Sequence, residues 1–309
     1  MRSAVVVNPV KVTDLAGRRA EICAALAEAG CPEPLWLETT PDDPGCGQTR
    51  QAVREGVDVV FVCGGDGTVM ACAGELAGTG VALAVLPSGT GNLLATNLEL
   101  PGDIAAGVAM ATAGARRRID VGALESHCFT VMAGMGFDAK MMDATSDRLK
   151  AAMGWTAYLL GGLKHLRDRP MRLRIRLDGG PTLRRRARTV LIANVGRLQG
   201  GIDLLPDAVP DDGLFDVAVI APRHLRDWLM LAWAVLRKRP VVPRMETFRA
   251  RRVQVVSNRP QSREIDGDVI EPAARLSAVV RPAALTVCVP GPPTGDPAGE
   301  MVLTVPETR

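Results

Sequence analysis

The stretch Val57-Asp58-Val59-Val60-Phe61-Val62-Cys63-Gly64-Gly65-Asp66-Gly67-Thr68-Val69-Met70-Ala71 decides the fold, because it joins an apolar strand pattern to a helix pattern through glycines. Glycine has no Cβ, so the backbone of such a turn can approach a phosphate closely. The helix that we expect to begin at Val69 offers free N–H groups and the positive end of its dipole to an anion. Asp66 would repel a phosphate unless a cation lay between them. The motif therefore predicts phosphate chemistry, with ATP and Mg²⁺ as the ligands.

Strand and helix patterns alternate on both sides of this motif. The strand patterns are Ala4–Asn8, Leu35–Glu38, Val57–Cys63 and Val81–Leu86, and the helix patterns include Asp14–Ala29, Gln48–Glu55 and Leu93–Leu98. Unbroken apolar strands in this rhythm predict a parallel sheet covered by helices on both faces. A second glycine turn, Pro87-Ser88-Gly89-Thr90-Gly91-Asn92, follows the fourth strand. Because ligands bind beyond the carboxyl ends of parallel strands, we expect both turns to converge on one cleft.

From about Val121 onward the pattern changes to short strands separated by Gly, Pro and Asp turns. We therefore predict an N-terminal doubly wound parallel α/β domain over residues 1–121. A C-terminal antiparallel β-sandwich domain, interrupted by helices at Lys150–Arg167 and His224–Arg237, follows over residues 122–290. Residues 291–309 contain several prolines and predict a loosely ordered tail.

The composition excludes several classes of protein. The 309 residues are 47% hydrophobic and 23% charged, as in ordinary globular proteins. A net charge of +3 is too small to indicate a nucleic-acid partner. The seven cysteines form no CxxC pair and indicate reduced intracellular thiols. The longest apolar helix pattern is far below the about 20 residues of a membrane span. We expect a cytoplasmic protein with at most peripheral contact at the inner face of the membrane.

Several further motifs follow one another along the chain. They are Asn8-Pro9, Gly64–Thr68, Pro87–Asn92, Asp120-Val121-Gly122, Gly134–Ala139, Asp211-Asp212-Gly213-Leu214 and Asp266-Gly267-Asp268. Together they resemble the soluble diacylglycerol kinase catalytic family, which includes sphingosine kinases and bacterial lipid kinases, over about residues 4–290. The resemblance implies an N-terminal domain like that of NAD kinase and phosphofructokinase, with ATP in the cleft and the acceptor lipid approaching between the domains. The implied reaction transfers the γ-phosphoryl group of ATP to a lipid hydroxyl, with diacylglycerol as the first candidate acceptor, giving phosphatidic acid.

The resemblance also implies a set of nucleotide-binding residues. They are Asn8, Pro9, Lys11, Thr40, Gly64, Gly65, Asp66, Gly67, Thr68, Gly89, Thr90, Gly91 and Asn92. The family usually continues Asn-Pro with a small residue and Gly, whereas this chain has Val10-Lys11-Val12. Lys11 either directs a charge at the phosphates or is a solvated loop lysine. Thr40 either faces the phosphates or serves as a turn hydroxyl.

Two Mg²⁺ sites are implied in the same way. Asp66 holds the ion of the cleft, with Asp120 as a nearby acid. The second ion, in the C-terminal domain, takes the side chain of Asp212 and the backbone oxygens of Val209 and Leu214, although Asp-Asp-Gly is also an ordinary turn. In many relatives an Asp follows the residue that matches Asn92. Leu93 stands there in this chain, so one carboxylate of the acidic network is missing.

The predicted catalytic residues are Asp66, Asp266 and Asp268. A lipid hydroxyl that attacks phosphorus must lose a proton, and a carboxylate within hydrogen-bond reach can accept it. The family usually reads Asp-Gly-Glu where this chain has Asp266-Gly267-Asp268, one methylene shorter. Either the backbone compensates, or Asp266 is the base, or the activity is low.

Alternative functions remain open at this point. The departures at Leu93 and Asp268 also fit a catalytically weakened nucleotide- or lipid-binding protein of the same fold. The acceptor could equally be a sphingoid base, phosphatidylglycerol or a glycolipid. An NAD kinase shares the first glycine turn, but its recognition segments find no match. The expected partner is a lipid at the membrane surface rather than nucleic acid, and a homodimer is compatible with the sequence. The run Arg184–Arg188 either faces lipid phosphates or lies on a solvated strand.

Overall fold

The computed structural model describes residues 1–89, 91–113, 115–125, 127–136, 170–198, 202–222, 224–237 and 242–291. Three expectations from the sequence lie outside these residues: the helix at Lys150–Arg167, the contact of Thr90 with the nucleotide, and all but the first residue of the tail at 291–309.

The N-terminal part alternates strands and helices as the sequence predicts. Its elements are β1 (Ser3–Val7), α1 (Leu15–Glu28), β2 (Leu35–Glu38), α2 (Cys46–Arg54), β3 (Val59–Gly64), α3 (Asp66–Leu76), β4 (Ala82–Pro87), α4 (Leu93–Asn97) and α5 (Ile104–Thr112). The strands β2, β1, β3 and β4 pair side by side, all parallel. Every residue of β1 and β3 is buried, which confirms a parallel sheet that is covered on both faces.

Alternate residues of these strands supply two separate cores. Ala4 and Val6 of β1 pack on the side of α2 and α3, whereas Val5 and Val7 pack on the side of α1 and α5. The sequence reading missed α5, because its small residues show little periodic contrast. Asp103 marks its start by accepting a hydrogen bond from the Ala106 N–H at 2.9 Å.

The C-terminal part is built mainly from antiparallel strands. Its elements are β5 (Arg116–Leu124), β6 (His127–Phe129), β7 (Met132–Met135), β8 (Met171–Leu177), β9 (Leu183–Ala187), β10 (Thr189–Ala193), β11 (Arg197–Leu198), β12 (Ile202–Asp203), β13 (Phe215–Ile220), α6 (Leu225–Leu236), β14 (Met245–Ala250), β15 (Arg252–Ile265) and β16 (Asp268–Cys288). Two groups of strands enclose an apolar core that includes Phe129, Phe215, Ile175 and Leu276. This arrangement confirms the predicted β-sandwich.

The strands β15 and β16 form one long hairpin that links the two parts of the chain. The hairpin turns at Asp266 and Gly267, whose φ angles of 48° and 91° are both positive, as a tight two-residue turn requires. At its far end β16 leaves the sandwich, and its residues Thr286 and Val287 pair in parallel with β4. The last strand therefore belongs to both domains, although the sequence reading separated them near Val121.

No helix in the described part of the chain is both long enough and apolar enough to cross a lipid bilayer.

Candidate active site

The two glycine turns meet at the carboxyl ends of β3 and β4. A Cβ placed on Gly89 would lie 2.9 Å from the Cα of Gly65, so only glycine permits this approach. The Ser88 N–H also donates to the Gly64 carbonyl at 3.3 Å. The prediction that both turns form one site is confirmed.

The helix α3 starts at Asp66, three residues earlier than the sequence suggested. Gly65 is its extended N-cap residue and makes no side-chain capping bond. Asp66, Gly67 and Thr68 therefore form the first turn of a helix rather than a separate loop. The N–H groups of this first turn have no partner within the helix, which suits them to bind phosphate oxygens.

Asp66 is held at the start of α3 by the second glycine turn. Its Oδ1 accepts a hydrogen bond from the Leu93 N–H at 2.6 Å. Burial raises the pKa of Asp66, hydrogen bonds from the backbone of Leu93 and Asn92 oppose this shift, and the charge of Asp268 adds to it. The charge of Asp268, which belongs to the C-terminal part, therefore acts on the carboxylate at the start of α3.

Thr68 does not face an open cleft. Its side chain is buried against Gly64, and its Oγ1 accepts a 3.4 Å hydrogen bond from Asn8 Nδ2. The Asn8 Oδ1 in turn accepts from the Val10 N–H at 3.0 Å. Thr68 and Asn8 thus connect the end of β1 to the first turn of α3 and shape the loop that carries Pro9.

Lys11 lies in the turn after β1, and its charge acts on Asp268. Its backbone N–H donates to the Asn8 carbonyl at 3.1 Å, which closes a tight turn after β1. The positive charge of Lys11 lowers the pKa of Asp268 and so acts across the gap between the two domains. Lys11 is exposed in this turn, so it is a solvated loop lysine whose charge also acts on Asp268.

Asn92 closes the second glycine turn on itself. Its side chain accepts from the Gly89 N–H at 3.2 Å and donates to the Gly89 carbonyl at 2.7 Å. With a φ of 46° Asn92 adopts the left-handed conformation at the start of α4. The next residue, Leu93, is buried in the interdomain core, so this position packs and cannot carry a metal ligand.

Asp266 is buried, and its carboxylate is fully occupied by the loop that precedes β7. Its Oδ2 accepts from the N–H and hydroxyl of Thr130, and its Oδ1 accepts from the N–H groups of Val131 and Met132, at 2.8–3.1 Å. Burial raises the pKa of Asp266 to about 6 against the opposing effect of these four donors. The four donors occupy the lone pairs of the Asp266 carboxylate, so none is free to accept a proton from the hydroxyl of a substrate. This geometry does not favour Asp266 as the base.

Asp268 is exposed and lies over the first turn of α3. A Cβ on Gly67 would come within 2.7 Å of the Asp268 Oδ2. Partial burial of the carboxyl group itself raises its pKa, and the charge of Lys11 partly offsets this rise. A carboxylate at the N-terminus of a helix that also carries Asp66 is well placed to act at a bound phosphate.

Glu264 is a site residue that the sequence reading missed. It follows the alternation of β15 onto the same face as Asp266, and its Oε1 would lie 2.8 Å from a Cβ on Gly134. Burial raises the pKa of Glu264 to about 7, and the charge of Asp266 adds to the rise. The signal was available, because Glu264 lies two residues before Asp266, and alternate residues of a strand share a face.

Thr40 takes the turn role rather than the phosphate role. Its hydroxyl accepts from the Asp43 N–H at 3.1 Å, and its backbone N–H donates to the Asp43 carbonyl at 3.0 Å. The Asp43 carboxylate then accepts from the Gly45 and Gly47 N–H groups around the start of α2.

Asp120 contacts the Asp-Asp-Gly turn. Its two oxygens accept from the N–H groups of Gly213 at 2.6 Å and Ala283 at 2.7 Å. It therefore ties this turn to β16, and each of its carboxylate oxygens is already bound by a backbone N–H group.

The Asp-Asp-Gly turn does not fit the second Mg²⁺ ion. The Asp212 carboxylate forms an ion pair with Arg249 and accepts from the Leu214 N–H at 2.9 Å. Asp211 binds Arg117 through two hydrogen bonds of 2.8 and 2.9 Å. With a guanidinium on each carboxylate, the expected cation of Val209, Asp212 and Leu214 meets positive charge rather than free oxygen ligands.

The cleft itself fits a Mg²⁺ ion that arrives with a nucleotide. Within the described residues no three His, Cys, Asp or Glu side chains are arranged to hold a metal ion by themselves. Mg²⁺ at nucleotide sites is commonly held by one or two carboxylates together with phosphates and water. Asp66 provides one such carboxylate at the start of α3.

Two family models match the two halves of this chain. Residues 2–124 match the family model of the diacylglycerol kinase catalytic domain, and residues 131–289 match the YegS C-terminal NAD kinase beta sandwich-like domain. A curated protein of Klebsiella pneumoniae (strain 342), named "Probable lipid kinase YegS-like", is 33% identical over 183 residues. That alignment covers 57% of this chain and 60% of the relative, so the chain matches less than two thirds of the relative's length.

Solved structures share the fold across nearly the whole chain. A diacylglycerol kinase from Bacillus anthracis str. Sterne superposes with a TM-score of 0.70 and 21% identity, over 93% of this chain and 96% of that one. An NAD kinase from Archaeoglobus fulgidus in complex with ATP gives 0.52 and 13%, over 93% of each chain. Taken with the two domain matches, the convergent glycine turns and the Asp-Gly-Asp hairpin show that this chain belongs to the diacylglycerol kinase catalytic-domain family, in the branch that carries the YegS-type C-terminal domain.

Proposed function

We propose that this protein is an ATP- and Mg²⁺-dependent lipid kinase, with Asp268 as the proton acceptor and diacylglycerol as the first acceptor to test. The observation that carries the proposal is the position of the Asp268 carboxylate directly over Gly67, in the first turn of α3. A group that binds phosphate and a group that accepts a proton are thereby within one site. Phosphoryl transfer needs this combination of positioning and charge more than it needs covalent chemistry.

The glycine turns hold the phosphates in this proposal. The free N–H groups at the start of α3 and the turn that Asn92 closes surround the space beyond β3 and β4. Lys11 adds a positive charge between the phosphates and Asp268, in place of the small residue and glycine of the family pattern. A Mg²⁺ ion held by Asp66 would supply further neutralisation of the phosphate charge.

Asp268 accepts the proton of the attacking hydroxyl. The hydroxyl oxygen forms the new bond to the γ-phosphorus, the bond from that phosphorus to the bridging oxygen breaks, and ADP leaves with that electron pair. The raised pKa of Asp268 makes it a stronger base than a solvated aspartate. Asp266 positions this group instead, because its four hydrogen bonds fix the turn from which Asp268 projects.

The test is transfer of labelled γ-phosphate from MgATP to a panel of lipids in mixed micelles. The panel contains diacylglycerol, a sphingoid base, phosphatidylglycerol and a glycolipid, since each offers a hydroxyl on an apolar body. We expect one of them to be labelled, and Asp66→Asn to abolish the labelling. Labelling of none of the panel, or equal labelling by Asp66→Asn, would contradict the proposal.

A second candidate is a protein of this fold that binds nucleotide and lipid with little catalysis. The observation that favours it is Leu93, which is buried where many relatives carry an Asp. Mg²⁺-dependent ATP binding without transfer to any lipid of the panel would select this candidate over the kinase.

A further inference from the structure

The hairpin of β8 and β9 presents a strongly basic outer face. The exposed side chains alternate with buried ones along both strands, so one face of the hairpin consists almost entirely of guanidinium groups. We call this set the basic face: Arg172, Arg174, Arg176, Arg184 and Arg186. Four of them, all but Arg176, line a groove of about 540 Å³ together with Val256 and Asn258 of the neighbouring β15.

The arginines of the basic face stand directly opposite one another. The strand register pairs Arg172 with Arg186 and Arg174 with Arg184. Cross-strand partners have Cβ atoms only about 4.5–5.5 Å apart, and like charges in these positions destabilise a sheet. The fold therefore bears a local electrostatic cost that a bound anion would relieve.

No acidic side chain of the described residues neutralises these five arginines. Arg185, which lies between them in sequence but on the other face of β9, does have a partner, since it binds Glu246 at 2.8 Å. Five unpaired positive charges on one face exceed the net charge of +3 for the whole chain. The remaining residues thus carry a slightly negative net charge, and an anionic surface would attract the basic face.

The hairpin that carries the basic face contacts β7, the strand next to the Asp-Gly-Asp turn. Met171, the first residue of β8, packs against Gly136 at the end of β7, where a Cβ would overlap its side chain. At the other end of β7, the Met132 N–H donates to Asp266 in the turn that carries Asp268. The four residues of β7 span about 13 Å. The hairpin that carries the basic face is therefore connected to the Asp-Gly-Asp turn through the single strand β7.

We propose that the basic face is the surface by which this protein docks on an anionic phospholipid bilayer. The inference rests on the proposed function in one respect, namely that the acceptor is a membrane lipid. Arginine forks bind phosphate groups in a planar, bidentate manner, and an array of them suits a plane of headgroups. The face lacks the aromatic side chains on which nucleic-acid bases stack, which favours a bilayer as the occupant.

The test measures binding of the full chain to sedimented vesicles, without ATP. One set of vesicles is phosphatidylcholine alone, and the other contains phosphatidylserine, which is anionic and offers no acceptor hydroxyl. The test variant is Arg174→Gln with Arg184→Gln. The matched control is Arg54→Gln with Arg118→Gln, two exposed arginines of the N-terminal half, so both variants lose the same net charge. Removing a repulsive cross-strand pair should not harm the fold of the test variant.

We expect the wild type to bind only the vesicles that contain phosphatidylserine, and less so at high salt. The test variant should lose about 10- to 30-fold in partitioning, since each arginine near an anionic surface contributes about a factor of five, and the control should bind like the wild type. Equal losses in both variants, no preference for anionic vesicles, or binding to an oligonucleotide but not to vesicles would each overturn the proposal.

Lipid phosphorylation separates this proposal from the proposed function. In neutral detergent micelles the test variant should phosphorylate the acceptor at the wild-type rate, whereas on phosphatidylserine vesicles it should be slower. If vesicle binding depends on the basic face but no lipid is phosphorylated, the docking surface stands and the kinase assignment falls. If micellar activity is intact and vesicle binding ignores the basic face, the docking surface falls alone.

Discussion

The Asp268 carboxylate lies so close to Gly67 that a Cβ on Gly67 would come within 2.7 Å of its Oδ2. The first turn of α3 belongs to the N-terminal domain, and Asp268 belongs to the hairpin of the C-terminal domain. The absence of a single carbon atom therefore allows the two domains to bring the N–H groups of the first turn of α3 and the Asp268 carboxylate together.

Gly67→Ala tests this relationship directly. The added methyl group should push the Asp268 carboxylate away by about 1 Å, and a displacement of that size lowers kcat by about 10²-fold. The measurement is kcat for lipid phosphorylation, alongside the melting temperature. Gly102→Ala is the control, because a Cβ there meets nothing within 4 Å.

The loss in Gly67→Ala should disappear when Asp268 is already replaced. In an Asp268→Asn background the methyl group has no catalytic carboxylate to displace, so the two changes should be far from additive. Fully additive losses would show that Gly67 acts through the nucleotide instead.

Asp268→Asn should lower kcat by about 10²- to 10⁴-fold, the usual contribution of a positioned base. The side chain is exposed, so the melting temperature and the affinity for MgATP should stay as in the wild type. Steady-state kinetics and nucleotide titration check the two halves of this prediction. A wild-type kcat would assign the proton to another acceptor.

Asp266→Asn should mainly reduce stability. The amide group of Asn would turn donors toward the N–H groups of Thr130, Val131 and Met132, which now share a buried carboxylate. We expect a loss of about 3 kcal/mol in the free energy of unfolding, measured by urea denaturation. Asp268→Asn, two residues away on the same turn, is the control and should unfold like the wild type.

Glu264→Gln should change how stability depends on pH. The pKa of Glu264 is raised to about 7 in the folded chain from 4.5, so the folded state binds the proton more tightly than the unfolded state. This carboxyl therefore favours the folded state at low pH, and that contribution is lost as pH rises from about 4.5 to about 7.

The expected loss is no more than about 3 kcal/mol, from the size of this pKa shift. Gln has no proton to release. Between pH 5 and pH 8 the free energy of unfolding should therefore fall less in the variant than in the wild type. Urea unfolding of both proteins at the two pH values measures the difference. Parallel pH profiles would mean that Glu264 does not carry the shift.

Local patterns were enough to predict most of the fold. Unbroken apolar strands such as Val59–Gly64, which end in glycines, indicated both the parallel sheet and the end of it where the turns meet. The helix α5 was missed because its small apolar residues lack a polar face. The start of α3 was misplaced because glycines usually mark turns, whereas here Gly67 lies inside the first turn of the helix.

The site residues were predictable as a set but not in their roles. Asp266 and Asp268 look equivalent in sequence, since each is a carboxylate beside the same glycine. Asp120 and Asp212 matched metal-binding positions equally well, yet one binds backbone N–H groups and the other pairs with Arg249.

The sequence by itself determined the architecture, the phosphate-binding turns and the family, because these depend on local periodicity, on glycine at strand ends and on the order of motifs. Only the tertiary structure decided which carboxylate is free. Asp266 is occupied by N–H groups that lie more than 130 residues away along the chain, and Asp268 is placed by the absence of a Cβ on Gly67 in the other domain. Hydrogen-bond partners and close approaches between distant segments arise only when the domains pack, so no local pattern records them.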